Sequence, residues 1–349
     1  MQLHILIIRP GAIGDALLSF PVLKALREHY TGAHITLVSN AQVLPLALAF
    51  GAADEVGDYQ DIQWSELFSS NGTPALQELL QQIELAICWL RDPGGMVERN
   101  LRMNGIRRLI IAPGRPPEGA RVHVVEYLAQ TVGLPIKRSQ WSVPSLLQYP
   151  QSGSSKRRCV CQFHTTPHAP SQETFYIGLP NKSIDFALGT DSVSSEGPAC
   201  DYVAIHPGSG GPQKCWPVIH FAAVIERLWQ QNRPVLLLAG PADTERVRDL
   251  INLVATPPRP EMFKTLTNEP LLEVARHLQP CRCYLGNDSG ITHLAAMLGV
   301  PTVALFGPSD PAVWEPVGPC TKVLYGQLLE QVPVNVVMEA IDAFYGLRT

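Results

Sequence analysis

The stretch from Gly286 to Pro311 constrains the fold of this chain more than any other part of the sequence. It reads GNDSGITHLAAMLGVPTVALFGPSDP and begins as a polar, Gly-rich turn directly after an apolar run that ends at Leu285. Apolar residues then recur at helical spacing, at Ile291, Leu294, Ala295 and Leu298. Gly299 ends this helix, and an apolar strand follows over 301–306. Such a strand-helix-strand crossover predicts a parallel sheet with helices on both faces.

The polar turn at the start of this helix has two readings. Asp288, Ser289 and Gly290 open the helix, whose free N–H groups point to the edge where ligands bind in such sheets. Because a helix N-terminus attracts anions, one reading is a site for the diphosphate of a nucleotide. The other reading is a helix cap, since Asp and Ser cap any helix. The turn alone leaves both open.

Length and composition indicate a two-domain enzyme. The 349 residues exceed one ordinary hydrophobic core, so two domains of similar size are expected. A net charge of -4 with 17% charged residues gives no basic footprint and argues against a nucleic-acid partner. The opening residues MQLHILIIRPG read as a buried strand and not as a signal peptide, and no apolar run approaches the length of a membrane span. We therefore expect a cytoplasmic protein.

The eight cysteines are expected to be reduced thiols. Possible zinc ligands lie close together at Cys159, Cys161, His164 and His168. However, Cys-x-Cys is tighter than the usual spacing of zinc knuckles, and no strand or helix pattern organises the segment. The sequence therefore favours a protein without a bound metal or another cofactor.

The N-terminal forty residues repeat the strand, turn and helix pattern. An apolar run over 3–8 predicts a buried strand, RPGAIGD makes a Gly-rich turn, and a second strand is expected over 35–38. The helix between them is indicated by Ile13, Leu17, Phe20, Leu23 and Leu26. Pro21 is expected to kink it. The turn contains Gly11 and Gly14 but not G-x-G-x-x-G, which argues against a Rossmann oxidoreductase.

Asp15 is the first candidate for chemistry. It follows a strand and lies in the first turn of a helix, where sheets of this class place their functional groups. A helix N-terminus favours the ionised carboxylate, which could then accept a proton. The alternative is a helix-start residue favoured by the helix dipole.

A loop rich in arginine separates two further predicted strands, over 85–90 and 109–112. It reads RDPGGMVERNLRMNGIRR and carries Arg91, Arg99, Arg102, Arg107 and Arg108. Arginines at a sheet edge could bind a phosphorylated or carboxylated substrate. They could equally form a solvated face.

The composition changes over 149–200, which is rich in Ser, Pro, Thr and Gly. Such a segment is typical of a linker with partial structure. The chain is accordingly divided into a first α/β domain over 1–165, an irregular linker over 166–200, a second α/β domain over 201–333 and a final helical segment over 334–349.

The second half opens with a predicted strand over 202–205 and the turn HPGSGG. Ser209, Gly210 and Gly211 could bring backbone N–H groups close to a diphosphate, with Lys214 neutralising its charge. The alternative is a surface loop with an exposed lysine. A further strand is expected over 235–239, and a helix over 271–278.

Four motifs together resemble glycosyltransferase family 9, which includes the ADP-heptose lipopolysaccharide heptosyltransferases. They are RPGAIGDALLSFPVLKALR, HPGSGG with KCWP, LLLAGPADTERV, and YLGNDSGITHLAAMLGVPTVALFGPSDP. They occur in the same order over nearly the whole chain, and the last is the most specific. The segment ICWLRDPGG departs from the family because it lacks the D-L-x-G pattern common in lipopolysaccharide heptosyltransferases.

The resemblance implies an α/β fold of the GT-B type, in which two Rossmann-like domains face each other across a cleft. The sugar donor would lie on the C-terminal domain and the acceptor on the N-terminal one. A final helix, here over 334–345, would cross back to pack on the first domain. Members of the family invert the anomeric centre and need no bound metal for chemistry.

The resemblance also assigns roles to residues. Asp15 would be the catalytic base, and Lys214 would stabilise the leaving group. Donor contacts would come from Ser209, Gly210, Gly211, Lys214, Glu245, Asp288, Ser289, Gly290 and His293. Acceptor contacts are expected from Arg9, Arg91 and Arg99.

The leading hypothesis is an inverting glycosyltransferase that moves a heptose from an ADP-sugar to a lipopolysaccharide-core or related glycan acceptor. With a glycolipid acceptor, a peripheral contact with the inner membrane surface is expected. The alternatives are a nucleotide-sugar-binding protein without turnover and a transferase that uses another nucleotide-sugar and acceptor.

Overall fold

The computed structural model describes residues 2–69, 74–134, 136, 138, 141 and 200–345. They form two α/β domains, each built on a parallel sheet, as predicted. The predicted boundary at residue 165 and the linker lie outside the described residues, except that Cys200 begins the first strand of the second sheet. The cluster formed by Cys159, Cys161, His164 and His168 also lies outside them.

The first domain has a five-stranded sheet. Its strands are β1 (His4–Arg9), β2 (His34–Ser39), β3 (Glu55–Asp58), β4 (Leu85–Trp89) and β5 (Arg108–Ala112). Its helices are α1 (Ile13–Leu17), α2 (Phe20–His29), α3 (Leu44–Ala49), α4 (Ile62–Ser65), α5 (Pro74–Leu80), α6 (Met96–Met103) and α7 (Val124–Thr131). The strand order is β3-β2-β1-β4-β5, with every pairing parallel. Because β1 is central and covered on both faces, its apolar run is fully buried.

The helix predicted after β1 is two helices. Residues 18–19 separate α1 from α2, and Pro21 lies in the first turn of α2. A proline is tolerated at that position because its missing N–H would have no partner inside the helix. The expected kink is therefore a complete break, which leaves α1 as a short helix beside the sheet edge.

The second domain has a six-stranded sheet. Its strands are β6 (Cys200–His206), β7 (Val235–Ala239), β8 (Phe263–Thr267), β9 (Cys281–Asn287), β10 (Thr302–Phe306) and β11 (Thr321–Tyr325). Its helices are α8 (Val218–Gln230), α9 (Thr244–Leu253), α10 (Leu271–Leu278), α11 (Gly290–Met297), α12 (Pro311–Trp314) and α13 (Val334–Tyr345). The order is β11-β10-β9-β6-β7-β8, again all parallel.

Helix α13 packs on the second domain, so the prediction that it crosses back to the first is wrong. Val337 and Ile341 are fully buried in the apolar core of the second domain. Arg233 pairs with Asp342, and its guanidinium carbon lies 4.2 Å from the ring centre of Tyr345. The apolar face of α13 therefore covers the sheet from which the helix emerges.

The two domains meet along α1 and α11. A single cluster of buried apolar side chains continues across this junction, from Leu17 and Leu46 in the first domain to Leu271 and Leu294 in the second. The carboxyl ends of both sheets face the junction, which is where ligands bind in open parallel sheets.

Candidate active site

A cleft of about 890 Å³ lies between the domains. The first domain contributes the β1–α1 turn and residues that follow β2 and β5, and the second contributes the turns that follow β6, β7, β8 and β9. Among the predicted residues, the cleft is lined by Asp15, Ser209, Gly210, Lys214, Asp288, Ser289, Gly290 and His293. The fold thus brings together residues that are up to 278 positions apart in the sequence, from Asp15 to His293.

Asp15 faces the cleft from the first turn of α1. Its side chain is 31% exposed. One carboxylate oxygen, Oδ1, lies 3.3 Å from Arg9 Nη2, and the other accepts a hydrogen bond from the Ala12 N–H at 3.3 Å. Gly11 makes room for this arrangement with a backbone φ of +132°, a conformation that other residues rarely adopt. Asp15 is therefore both oriented by the protein and open to solvent.

Arg9 is buried beneath Asp15, which contradicts its predicted contact with the acceptor. Its side chain is only 5% exposed and does not line the cleft. It is the last residue of the central strand β1, and its side chain lies beneath Asp15, to which it donates hydrogen bonds. Burial lowers the pKa of Arg9, and the charge of Asp15 opposes that shift.

Lys214 and Asp288 form an ion pair on the opposite wall. Lys214 Nζ lies 2.8 Å from Asp288 Oδ2, with the lysine side chain 42% exposed and the carboxylate 9% exposed. The Ser209 hydroxyl donates to the Asp288 carbonyl oxygen at 2.6 Å. The turn after β6 is therefore held against the turn after β9 by a charged and a neutral contact.

The helix cap of α11 is Ser289 and not Asp288. The Ser289 side chain accepts a hydrogen bond from the Thr292 N–H at 3.4 Å. Ser289 thus caps the helix, whereas Asp288 turns its carboxylate to Lys214.

Asn287 holds the turn after β6 against the turn after β9, a role that the sequence analysis missed. It is fully buried at the end of β9. Its Oδ1 accepts from the Trp216 N–H at 2.9 Å, and its Nδ2 donates to the Pro207 carbonyl oxygen at 2.7 Å. A buried amide with both ends satisfied fixes the spacing of the loops it joins.

His206 and Asp243 form a second polar pair that the sequence analysis missed. His206 Nε2 lies 2.9 Å from Asp243 Oδ2, and His206 Nδ1 lies 3.4 Å from the Ser289 hydroxyl oxygen. Burial favours the neutral form of Asp243, but the hydrogen bond and charge of His206 outweigh it and hold the pKa of the carboxyl below its ordinary value. Both residues line the cleft.

His293 is buried between the two walls. Its Nε2 lies 3.9 Å from Asp288 Oδ1, and its ring packs against Gly14 of the first domain. Burial lowers its pKa, while the charges of Asp288 and Asp15 oppose that shift. Its Nδ1 is buried and has no hydrogen-bond partner among the described residues.

His123 contacts the second domain at the edge of the junction. Its Nε2–H donates to the Glu315 carbonyl oxygen at 3.0 Å, while its Nδ1 accepts from the Val125 N–H at 3.2 Å and caps α7. Burial and the neighbouring His293 lower the pKa of His123 to about 3. The imidazole is therefore neutral at physiological pH and bridges the domains as an uncharged group.

Four predicted contacts lie elsewhere. Glu245 is exposed on the first turn of α9 and does not line the cleft, and neither does Gly211. Arg91 and Arg99 are exposed on the first domain, also outside the cleft. Their acceptor roles stay predictions.

Two charged residues that the sequence analysis passed over do line the cleft. Arg115 follows β5 and Glu269 follows β8, both at the carboxyl ends of strands. That position was the available signal for finding them.

Within the described ranges, no three His, Cys, Asp or Glu side chains are grouped so that they could hold a metal ion. Cys88, Cys215 and Cys283 are free thiols. No helix in the part of the chain that the structure describes is long and apolar enough to span a membrane.

Comparisons with known proteins agree on one family. The sequence model of glycosyltransferase family 9 (heptosyltransferase) matches residues 157–335. Lipopolysaccharide heptosyltransferase 2 of Escherichia coli K12 is 25% identical over 346 residues, covering 92% of this chain and 88% of that protein.

Solved structures show the same fold. E. coli ADP-heptose lps heptosyltransferase II superposes with a TM-score of 0.69 at 21% identity, covering 99% of each chain. E. coli heptosyltransferase WaaC with ADP gives a TM-score of 0.62 at 18% identity, covering 98% of this chain and 100% of that one. The two domains facing across a cleft are thus a GT-B fold, as predicted.

Proposed function

The chain belongs to glycosyltransferase family 9, and we propose that it moves a heptose from ADP-heptose to a hydroxyl group of a lipopolysaccharide-core acceptor with inversion at the anomeric carbon. The observation that carries this proposal is the placement of Asp15 on one wall of the cleft and of the Lys214–Asp288 pair on the other. A base and a cation on opposite walls are what a displacement at a sugar carbon requires.

The second domain would bind the donor. The N-terminus of α11 presents free N–H groups to the cleft beside Lys214, Ser209 and Gly210. These groups complement the negative charge that grows on the diphosphate as the bond to the sugar breaks. Removing one such group from a preorganised site typically costs about 100- to 1000-fold in rate.

The first domain would activate the acceptor. As the acceptor oxygen attacks the anomeric carbon, its proton passes to the Asp15 carboxylate and the bond from that carbon to the ADP oxygen breaks. Such a base contributes about 100- to 10,000-fold. Its oxygens are held by Arg9 and Ala12 while the carboxylate stays open to the cleft, as a base that must meet substrate requires.

The junction would limit hydrolysis of the donor. The cleft has α1 and α11 packed together at its base and apolar side chains continuing between the domains. Closing the domains around donor and acceptor would exclude water from the reacting carbon. With a glycolipid acceptor, the protein would work at the inner face of the cytoplasmic membrane as a peripheral protein.

The test is to incubate the purified protein with ADP-heptose and lipopolysaccharide that lacks heptose. We expect release of ADP and growth of the acceptor by one heptose, with the opposite anomeric configuration from the donor. Donor binding without ADP release would support the binding protein without turnover. Activity restricted to another nucleotide-sugar would support a transferase with a different donor and acceptor.

A further inference from the structure

The environment of Arg9 is more specific than a structural ion pair requires. All three guanidinium nitrogens are engaged: Nε donates to the Asp15 carbonyl oxygen at 3.2 Å, Nη2 to Asp15 Oδ1 at 3.3 Å and Nη1 to the Trp89 carbonyl oxygen at 3.4 Å. Two of these contacts are to Asp15 itself, one to its backbone and one to its carboxylate. The guanidinium therefore fixes where the carboxylate lies relative to its own main chain.

A distant glycine makes the space for this side chain. Gly114, in the loop after β5, approaches Arg9 so closely that a β-carbon there would lie 1.9 Å from Nη1 and 2.9 Å from the Trp89 carbonyl oxygen. Neither distance is possible for real atoms. Three separate segments, at Arg9, Trp89 and Gly114, thus form one slot that admits a planar guanidinium.

Stability alone does not account for this arrangement. Burying a charge is costly, and replacing a buried ion pair by apolar residues of similar volume is often neutral or stabilising. Here the cation is buried whereas its partner Asp15 is exposed to the cleft. The buried Arg9 therefore supports Asp15, the residue of the pair that is open to the cleft.

We propose that Arg9 is a positioning residue for Asp15, holding the carboxylate in the geometry for proton abstraction and balancing its charge. This inference rests on the proposed role of Asp15 as the base. When Asp15 takes the proton of the acceptor, the buried guanidinium loses its counter-charge. That imbalance favours release of the proton from Asp15 to solvent, which restores the base for the next turnover.

The experiment measures turnover and donor KM separately in four variants. Arg9→Met removes both the charge and the planar set of guanidinium N–H donors. We expect turnover to fall about 10- to 100-fold, a loss typical of a misplaced catalytic group. Donor KM should stay within about twofold of wild type. Arg9→Lys keeps the positive charge but not the planar set of donors, and it should recover part of the lost turnover. Gly114→Ala leaves Arg9 in the sequence but fills its slot, and should also lower turnover with little change in donor KM. Gly94→Ala, where a β-carbon meets no atom within 4 Å, is the matched control and should behave as wild type.

A double-mutant cycle shows whether Arg9 acts through Asp15. In an Asp15→Asn background, Arg9→Met should cause no further loss of turnover. An equal loss in both backgrounds would overturn the proposal, as would wild-type turnover in Arg9→Met. If Arg9→Met does not fold, Arg9→Lys and Gly114→Ala decide, and wild-type turnover in both would overturn it.

The outcomes separate this inference from the proposed function. Wild-type turnover in Asp15→Asn would remove the base assignment itself, and the inference with it. Lost turnover in Asp15→Asn beside normal turnover in the Arg9 and Gly114 variants would remove only the role of Arg9.

Discussion

Gly14 and Gly290, on the opening turns of α1 and α11, lie against each other across the domain junction. A β-carbon on Gly14 would lie 3.6 Å from the Gly290 α-carbon, and one on Gly290 would lie 2.7 Å from Ile13 Cγ2. The absence of side chains at these two positions lets both helix N-termini approach the same point of the cleft.

Gly290→Ala should therefore disturb catalysis through the distance between the two walls. The new methyl group would overlap the branched side chain of Ile13, so the domains must shift apart or Ile13 must change rotamer. We expect at least about a tenfold loss in kcat/KM, since small displacements of reacting groups are costly. Steady-state kinetics against Gly94→Ala, which adds the same methyl group in open space, checks this. Equal kinetics in the two variants would show that the close approach has no role in catalysis.

Asp288→Asn separates charge from helix capping. The cap of α11 is Ser289, so α11 should keep its cap in this variant. The loss of the negative charge weakens the 2.8 Å contact that holds Lys214 in place, so we expect donor KM to rise.

Ser289→Ala is the companion variant to Asp288→Asn. It should cost about 0.5–2 kcal/mol of stability through the lost cap. Thermal unfolding and donor titration of both variants test the division. Wild-type stability together with wild-type donor KM in Asp288→Asn would contradict the role of its charge in donor binding, because asparagine caps a helix as well as aspartate.

Donor recognition by an acidic residue should depend on Glu269 and not on Glu245. The resemblance to the family pointed to Glu245, but that side chain is exposed on the first turn of α9 and lies outside the cleft. Glu269 lines the cleft and offers carboxylate oxygens to the hydroxyl groups of a donor. We expect Glu269→Gln to raise donor KM several-fold, because a hydrogen bond to a charged group is worth about 1 kcal/mol more than one to a neutral group. Glu245→Gln is the matched control, and a larger effect in that variant would reverse the assignment.

Much of the fold could be predicted because buried parallel strands are visible in the sequence as apolar runs. The predicted limits of β7 and α10 equal the observed ones, and those of β1 and β4 differ by a single residue at one or both ends. Strands β8 and β11, with sequences FKTLT and TKVLY, were not predicted. Both are edge strands with exposed side chains, so hydrophobic periodicity carried no signal there.

Site residues could be predicted only where the turn that contains them is recognisable from its own local sequence. Asp15, Lys214 and Asp288 follow strands in recognisable turns, and the structure brings them to one cleft. The slot for Arg9 depends on Trp89 and Gly114, which lie 80 and 105 positions away by subtraction of residue numbers. Such contacts arise from the order in which strands pair, and the sequence does not state that order locally. The packing of α13 was missed for the same reason.

The stability of the protein should fall in acid partly because of His123. Its pKa is about 3 in the folded protein against an ordinary value of 6.5, so the unfolded chain binds a proton that the folded protein does not between these values. The contribution is fully present above about pH 6.5 and is lost as the pH falls towards 3, by up to about 1.4 kcal/mol per pH unit. Urea unfolding at several pH values measures this slope.

His123→Asn is the variant for that measurement, because asparagine can still cap α7 while it does not titrate. We expect a shallower loss of stability between pH 6.5 and 4 than in wild type. Some slope should remain because burial also lowers the pKa of His293. Identical slopes in the variant and the wild type would contradict a neutral, buried His123.

Asp15→Asn tests the base most directly. The substitution keeps the size of the side chain and an oxygen that can accept from Arg9, but it removes proton affinity and charge. Turnover should fall about 100- to 10,000-fold, while affinity for ADP-heptose, set on the other domain, should stay near the wild-type value. The loss of the helix-dipole interaction alone would cost about 0.3–1 kcal/mol. Because Arg9 is buried and loses its charged partner, the cost should instead be about 1–3 kcal/mol. Calorimetric donor titration, unfolding and transfer assays on one preparation separate the effects. Donor affinity that falls in step with turnover would assign Asp15 to binding, whereas lost transfer with a folded, donor-binding protein is the pattern that only a base on the acceptor side explains.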